Sequence, residues 1–393
     1  MQAMRSVGVV LAILCGVSYS PSLAQRPIRP QPLILASAPA ELVDRLRADP
    51  FTYFRFINRA WTERVCEAFA DLPSPAMVRL HGDAHVEQFA LTQDAWGLDD
   101  FDDSTRGPAF VDVVRFLGSL DLASRQRGWS AARDRLWTRF FEGYRLGLSN
   151  PDFRPRQPEI VGRLRRQALV ARADYLQSGE RQMQPMDEAR SAAIVSGMET
   201  FERLMRVERP DLAPGYFAVK RVGWLRTGVG SATIRKVLMR VSGPTADPED
   251  DVLLEGKEVV SLEGVRCLET PTTPPAIRVI VGARQLGRLK HDILAVAPTL
   301  LLPAAPDRAE NWLDWWISSW EPTYREVRLG DFRSAEELAE IAFVSGWQLG
   351  VGKVPSVKSL ELSSYTTLES RLRKETSLIV EELLAGWREL AGR

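Results

Sequence analysis

Two short polar segments carry the residue types best suited to chemistry. His81-Gly82-Asp83-Ala84-His85 is followed, seventeen positions after Asp83, by Asp100-Phe101-Asp102-Asp103. Carboxylates brought this close repel one another and raise each other's pKa, so such a cluster usually holds a divalent metal ion or transfers protons. Mg²⁺ fits best, because it takes oxygen ligands and keeps water and substrate phosphates in its remaining positions.

Two other interpretations of these residues stay open. Alternation along an extended strand would place His81, Asp83 and His85 on one side, where they could bind Zn²⁺ in a metal-dependent hydrolase. Against zinc, His291 is the only other histidine, and the chain has no HExxH motif to complete a nitrogen-rich site. Alternatively, hydrogen bonds alone satisfy the first segment as an ordinary turn, which leaves the second segment unexplained.

Short strands and turns are predicted to position these residues. Between Pro73 and Phe101, short apolar pieces alternate with polar loops, as in a small β-ribbon that carries its chemistry on the turns. From Tyr216 to Leu262 a second β-like region predicts a small antiparallel sheet, divided by a loop from Ser242 to Asp251. We expect the two β-rich patches to face one cleft.

Most of the remaining chain has helical periodicity. Helices are predicted from Glu41, over 111–206 and from Ile277 onward, with a strand-like run at Thr323 to Leu329 and an amphipathic helix between Leu368 and Leu390. Four tryptophans at helical spacing predict a buried helix face: Trp312, Trp315, Trp316 and Trp320. The predicted fold class is therefore α+β.

The acidic segments resemble signatures of known phosphotransferases. Val78 to Ala90 and Gly97 to Ser119 resemble the HGDxHxxN and DFDxxxxGPxxxD motifs of aminoglycoside and choline phosphotransferases, which have a protein-kinase-like fold. A closer resemblance is to domain-of-unknown-function family 2252 (DUF2252). That family shows GDxHxxNFG, DFDE and DxxRLxxS, and this chain reads GDAHVEQFA, DFDDSTRGPAFVD and DVVRFLGS.

The resemblance implies a role for each matched residue. Asp83 is the catalytic aspartate that accepts or orients a hydroxyl proton, and His81 and His85 beside it are further catalytic candidates. Asp100 is the principal Mg²⁺ ligand, and Asp102 is a second ligand.

Two further positions, Gln88 and Asp112, belong to the expected site. Gln88 stands where the family has a metal-binding asparagine. It offers the same amide oxygen one methylene further out, so it is assigned to the metal, with reduced or lost activity as the alternative. Asp112 is expected to anchor the loop.

A glycine-containing loop and a lysine complete the expected phosphate site. Arg226-Thr227-Gly228-Val229-Gly230-Ser231 precedes a β-like run, and Glu255-Gly256-Lys257-Glu258 ends the next one. Glycines at a strand turn let backbone N–H groups approach a phosphate, which a lysine on the next strand can neutralise. Alone, these residues fit a plain hairpin and a solvated strand end. Their resemblance to the GVGS and LQxKEA segments of DUF2252 favours nucleotide binding by Gly228, Gly230, Ser231 and Lys257.

The order of these segments implies a rearranged fold. In ordinary kinases the glycine loop and lysine precede the catalytic loop, whereas here they follow it. The resemblance therefore implies a circularly permuted, two-lobed protein-kinase-like fold. We expect a helical lobe with the catalytic and metal loops at 41–210, a small β-rich nucleotide-binding lobe at 211–270 and a helical region at 271–393.

The late segment Leu349-Gly350-Val351-Gly352-Lys353 lacks the family's histidine and alanines.

The N-terminus predicts export. Arg5, the apolar run from Val7 to Val17 and the small-residue site Ser22-Leu23-Ala24 form a signal peptide at 1–24, followed by an extended leader at 25–40. The protein is then periplasmic or secreted. No later stretch predicts a membrane-spanning segment in the mature chain.

Composition limits the partners. Among 393 residues, 51 Lys and Arg balance 51 Asp and Glu, so no general attraction to nucleic acid is expected. Cys66 and Cys267 remain after signal cleavage, as one disulfide or two buried thiols.

The sequence thus predicts a Mg²⁺-dependent phosphotransferase that uses ATP or another nucleotide and a small hydroxyl or amine substrate. A catalytically weak kinase-like binding protein is the main alternative, and a metal-dependent hydrolase is a further one. Export conflicts with ATP as the donor, because ATP is scarce outside the cytoplasm. The sequence does not specify the acceptor, the donor or the oligomeric state.

Overall fold

The computed structural model describes residues 26–72, 76–167, 171–225, 234–269, 275–297, 315–353 and 362–393. These ranges form a mixed α+β fold, as predicted. In the described parts of the chain, no helix is both long enough and apolar enough to cross a membrane. Residues 1–25, where the signal peptide is expected, lie outside the described ranges.

Helices form most of the fold. They are α1 (Pro32–Ser37), α2 (Ala40–Ala48), α3 (Pro50–Phe56), α4 (Asn58–Ala68), α5 (Phe110–Gln126), α6 (Arg133–Ser149), α7 (Glu159–Arg165), α8 (Arg172–Gln182), α9 (Glu188–Glu208), α10 (Pro275–Leu286), α11 (Ala335–Lys353) and α12 (Leu362–Ala391). The strands are β1 (Met77–Leu80), β2 (Phe89–Leu91), β3 (Trp96–Leu98), β4 (Thr105–Pro108), β5 (Met183–Gln184), β6 (Val219–Leu225), β7 (Lys236–Val241), β8 (Val252–Glu258), β9 (Leu294–Ala297), β10 (Trp315–Ser319) and β11 (Arg325–Glu326).

Within the described ranges, the strands pair into three antiparallel sheets. The largest has the order β5-β6-β7-β8-β10-β9, and smaller sheets have the orders β1-β4 and β11-β2-β3. One face of the large sheet packs on α9, whose Ile194, Met198 and Phe201 follow helical spacing and are fully buried. The opposite face of the sheet is therefore left for α8 and for a cleft.

A second core surrounds α5. This helix is buried on almost every side from Phe110 to Ser124, and its buried polar residues Asp112, Arg115 and Asp121 have side-chain partners. It contacts α3, α4, α6 and α12. Because α5 begins directly after β4, its first turn lies beside the acidic segments.

Helices α6 and α11 pack with their backbones in contact. A Cβ atom on Gly143 or Gly147 of α6 would collide with the carbonyl oxygen of Phe343 or Trp347 on α11. In the same way, Gly346 of α11 faces a backbone carbonyl of α6. The absence of side chains at these glycines sets the distance between the helices.

Several predicted elements differ in the structure. Residues 32–37 form α1 inside the expected extended leader, where Pro32 occupies the first helical turn with its φ already suited to a helix. The expected β-ribbon is two sheets, because β1 pairs with β4 rather than with β2. The helical region expected after 271 contributes β9 and β10 to the large sheet.

The predicted tryptophan helix is wrong. Trp315 and Trp316 lie on β10, while Trp312 falls outside the described residues. Both side chains are buried, Trp315 against α9 and Trp316 toward the other face. A strand buried on both faces loses the alternation that distinguishes it from a helix.

A disulfide joins distant parts of the chain. Cys66 on α4 bonds Cys267 in the segment after β8, 201 positions away, with 5.5 Å between the Cα atoms. Arg59 of α4 also donates a 2.6 Å hydrogen bond to the carbonyl of Glu263 in that segment. These contacts attach the end of β8 to the helical core.

Replacing both cysteines with serine should lower the free energy of unfolding by about 2–5 kcal/mol, because the unfolded chain regains the freedom that the cross-link removes. Urea unfolding followed by circular dichroism measures this, and wild-type protein in reductant is the matched control. Equal unfolding midpoints for oxidised wild type and the double variant would contradict the disulfide.

Candidate functional site

A cleft of about 540 Å³ lies between the acidic loops and the face of the large sheet opposite α9. Both predicted polar segments reach it, and so does β8. The lining includes Asp83, Gln88, Asp100, Asp102, Lys236 and Lys257. Segments far apart in sequence therefore share one site, as expected for the two β-rich patches.

The loop that carries Asp83 is held by Asp112 in the first turn of α5. One carboxylate oxygen of Asp112 accepts the backbone N–H of His81 and the other accepts that of Gly82, both at 2.9 Å. Gly82 has φ +89°, and a Cβ atom there would collide with the backbone of Asp103. The sequence interpretation of Asp112 as an anchor agrees with this geometry.

Lys353, which sequence reasoning missed, completes the anchor. Its ammonium lies 2.5 Å from Asp112 Oδ2 and 2.6 Å from the carbonyl oxygen of Arg79, and its side chain is fully buried. Burial lowers the pKa of Lys353, while the charge of Asp112 opposes that effect. The available signal was the position of this lysine at the end of a helix whose other residues are almost all buried.

Asp83 is oriented by Arg115. Two guanidinium nitrogens lie 2.7 and 2.9 Å from Asp83 Oδ1, while Oδ2 has longer contacts of 3.4 Å to Gln88 Nε2 and 3.5 Å to His85 Nε2. Burial acts to raise the pKa of Asp83, but the charges of Arg115 and His85 outweigh it and lower the pKa to about 2. Asp83 is therefore ionised at neutral pH, with Oδ2 available to a ligand.

The rings of His81 and His85 lie behind Asp83. His81 Nε2 is 2.9 Å from the carbonyl oxygen of Asp99, and His81 Nδ1 accepts the backbone N–H of Asp83 at 3.3 Å, which fits the tautomer protonated at Nε2. His85 packs against the rings of Phe51 and Phe54, and burial lowers its pKa to about 4. His81 therefore links Asp83 to Asp99 within the loop, and both histidine rings are fully buried.

The zinc alternative loses its geometric basis. Residues 81–85 form a turn after β1 rather than an extended strand, so alternation does not bring His81, Asp83 and His85 to one side. Within the described ranges, no three His, Cys, Asp or Glu side chains are grouped to hold a metal ion.

Asp100 and Asp102 share the ammonium of Lys257. The Lys257 nitrogen lies 3.2 Å from Asp100 Oδ1 and 3.3 Å from Asp102 Oδ2, although the residues are more than 150 positions apart. Asp100 has φ 61°, a left-handed conformation that aspartate tolerates better than most residues. Its side chain is 33% exposed, against 10% for Asp102.

The pKa values of the two carboxylates shift in opposite directions. Burial acts to raise the pKa of Asp100, but Lys257 and Lys236 hold that pKa well below its usual range. Burial and the charge of Asp100 raise the pKa of Asp102 to about 7. Although burial acts to lower it, the pKa of Lys257 lies well above its usual value because of Asp100 and Asp102. The pKa of Asp100 is thus lowered, while that of its neighbour Asp102 is raised.

Gln88 bridges the two acidic segments. Its side-chain nitrogen lies 3.4 Å from both Asp83 Oδ2 and Asp100 Oδ2. Rotation of the Gln88 amide group by half a turn places its oxygen where the nitrogen was. With a cation present, that rotation presents an oxygen ligand instead of a donor.

The available donors fit Mg²⁺. Asp100 and Asp102 offer carboxylate oxygens and Gln88 offers an amide oxygen, all of the hard type that Mg²⁺ prefers. Mg²⁺ is commonly held by one or two carboxylates, with water and substrate phosphates filling its other positions, so a larger acidic group is not required.

Helix α11 also fixes the segment that leads to Asp100. Gln348 accepts the backbone N–H of Leu98 at 2.8 Å and donates to the carbonyls of Leu98 at 3.1 Å and Leu286 at 2.9 Å. Through Lys353 and Gln348, one helix positions both polar loops. Sequence reasoning missed Gln348 as well, since its partners are backbone groups.

The remaining predicted nucleotide-binding residues are not described. Gly228, Gly230 and Ser231 fall within 226–233, outside the described residues. Lys236 emerges instead as a further cleft residue, because it is the cross-strand neighbour of Lys257.

Comparisons with known proteins give two partial matches. The family model described as "Uncharacterized protein conserved in bacteria (DUF2252)" matches residues 40–159, which confirms the DUF2252 resemblance for the segment that contains both polar loops. A protein named glucosamine kinase from Streptacidiphilus jiangxiensis is 29% identical over 119 residues, covering 24% of this chain and 26% of that protein. This chain therefore spans about a quarter of that relative's length. No solved structure matches.

Replacing Lys353 with methionine should lower the free energy of unfolding by about 3–5 kcal/mol, because Asp112 remains as a buried charge without its cation. Urea unfolding measures the change, and Lys374→Met on the exposed surface of α12 is the control. The double variant with Lys353→Met and Asp112→Asn should lose less free energy of unfolding than the sum of the losses in the two single variants. Strict additivity would contradict the coupling.

Proposed function

We propose that this chain is a Mg²⁺-dependent, kinase-like phosphotransferase that moves a phosphoryl group from ATP or another nucleotide to a small hydroxyl or amine substrate. The observation that carries the proposal is the approach of the Lys257 ammonium to within 3.2 Å of Asp100, with Gln88 bridging Asp100 to Asp83. The partial likeness to a protein named glucosamine kinase supports the same class of reaction.

The charges in the cleft suit phosphoryl transfer. That reaction depends mainly on positioning the phosphate and acceptor and on neutralising charge at the phosphate oxygens. Bound Mg²⁺ would be held by Asp100 and Asp102, with Gln88 as a third ligand, and it would neutralise phosphate charge. Lys257, released from the two carboxylates, would then pair with a phosphate oxygen.

Asp83 would bind the acceptor. Its Oδ2 faces away from the Arg115 contacts and can accept a hydrogen bond from an acceptor hydroxyl or amine. With a pKa of about 2, Asp83 is ionised at neutral pH, so it can orient the acceptor and accept its proton as the phosphoryl group is transferred. The relative's name makes an amino sugar the first acceptor to test.

We further propose a circularly permuted kinase-like arrangement of two lobes, with the helical lobe at 41–210, the nucleotide lobe at 211–270 and the completing region at 271–393. Support comes from an antiparallel sheet that faces the polar loops across a cleft, while its strands β6 to β8 follow those loops in the chain. This order is the reverse of that in ordinary kinases.

A catalytically weak kinase-like binding protein is the second candidate. Gln88 favours it, because the longer amide stands at the position that the family resemblance assigns to a metal-binding asparagine. Lys257 favours it too, since this lysine already forms ion pairs with both carboxylates. Both candidates predict binding of the nucleotide with Mg²⁺, but only the phosphotransferase predicts transfer of a phosphoryl group.

Two substitutions separate the proposed roles. Asp100→Ala should abolish Mg²⁺-dependent nucleotide binding, because the metal loses its main carboxylate ligand. Asp83→Asn should keep that binding and reduce turnover by about 10²–10⁴-fold, since Asp83 acts on the acceptor. Calorimetry with Mg²⁺ and a non-hydrolysable nucleotide, with a phosphoryl-transfer assay on glucosamine, measures both effects.

Asp94→Asn, an exposed carboxylate between β2 and β3, is the matched control and should change neither quantity. Binding without turnover in the wild type, over a panel of acceptors, would favour the weak binding protein. Absence of nucleotide binding in the wild type would refute the nucleotide-dependent proposal.

Export remains part of the proposal. The Cys66–Cys267 disulfide supports an oxidising compartment, where such bonds persist. We expect the mature protein to begin near Gln25, and mass spectrometry of the protein isolated from its native source tests this. An intact segment 1–24 on a cytoplasmic protein would contradict export and would remove the conflict with ATP as donor.

A further inference from the structure

Two lysines stand side by side on the cleft face of the large sheet. Lys236 on β7 is the direct cross-strand partner of Lys257 on β8, so both side chains leave the sheet on the same face. Each residue is only 8% exposed, and both line the cleft. Like charges at directly opposed positions of a sheet are destabilising, and the low exposure adds to that cost.

Nearby carboxylates offset these charges. Glu255, two positions before Lys257 on the same face, has Oε1 3.7 Å from the Lys236 nitrogen and 3.9 Å from that of Lys257. Trp320 fixes Glu255 by donating a 2.8 Å hydrogen bond to its Oε2. With Asp100 and Asp102, three carboxylates therefore face two ammonium groups.

A divalent cation on Asp100 and Asp102 reverses this balance. Those carboxylates are then committed to the metal, and Lys236 and Lys257 retain Glu255 as their shared partner. The cluster changes from an excess of one negative formal charge to an excess of one positive formal charge if all carboxylates are ionised. An anionic ligand would balance that charge, and it could contact both lysines together.

The spacing of the lysines selects the kind of anion. Side chains on neighbouring strands start about 5 Å apart. Two flexible ammonium groups at that separation can each contact a different phosphoryl group of one condensed phosphate. The Trp316 ring, whose centroid is 5.1 Å from the Lys257 nitrogen, lies alongside and limits access of water to that lysine.

We propose that Lys236 is a second phosphate-binding residue and that, with Lys257 and Mg²⁺, it makes the cleft a site for condensed phosphate of at least two linked phosphoryl groups. This inference rests on the proposed function in that a phosphoryl donor occupies the cleft. It adds that the phosphate chain itself is recognised, so inorganic pyrophosphate and tripolyphosphate bind without a nucleoside.

Calorimetry of the full mature chain with Mg²⁺ tests the proposal with orthophosphate, pyrophosphate and tripolyphosphate as probes. Wild type should bind pyrophosphate and tripolyphosphate at least about tenfold more tightly than orthophosphate, because a second charge-assisted contact forms. Lys236→Met should remove about tenfold of the pyrophosphate affinity and leave orthophosphate binding within about twofold. Lys236→Arg should retain the preference, and Lys374→Met should match wild type.

Two outcomes would overturn the proposal: equal affinity of wild type for all three probes, or unchanged pyrophosphate binding in Lys236→Met. The first needs no variant, so it holds even if Lys236→Met does not fold. Failure of the proposed function is recognised separately. Pyrophosphate binding that depends on Lys236, together with no phosphoryl transfer from any donor, would uphold this inference and refute the transferase.

Discussion

The geometry of the cleft depends on one buried carboxylate, Asp112. Such a charge is stable in the interior only when hydrogen bonds and a cation surround it, and Asp112 receives two backbone N–H groups and the Lys353 ammonium. The N–H donors belong to the turn that presents Asp83. Since Lys353 comes from the end of α11, the direction of Asp83 is set by a helix more than two hundred residues further along the chain.

The charged groups of the cleft are stabilised in the same way, by pairing buried carboxylates with a cation. Lys257 acts as the cation for Asp100 and Asp102, and this keeps a crowded acidic site stable in the protein alone. In the proposed function, an incoming metal ion would replace the lysine at the carboxylates, and the lysine would then be free for a phosphate. Cation and anion binding would then be coupled through one side chain, so each should strengthen the other.

The sequence located the polar residues of the cleft better than the long-range contacts. Asp83, Asp100 and Lys257 were identified because short motifs surround them, and they do meet at one cleft. Lys353, Gln348 and Lys236 were not identified, because each acts through a partner distant in sequence and no periodic pattern marks it. The pairing of β1 with β4 was missed for the same reason, and β10 was mistaken for a helix because it is buried on both faces.

The close contact of α6 with α11 has a consequence for natural variation. Gly143, Gly147 and Gly346 face backbone atoms of the opposite helix, so even one added methyl group must push the helices apart. The displaced α11 would carry Gln348 and Lys353 with it, away from the loops that they hold. In a complete mutational scan, these glycines should therefore rank among the least tolerant positions, although none of them touches the cleft.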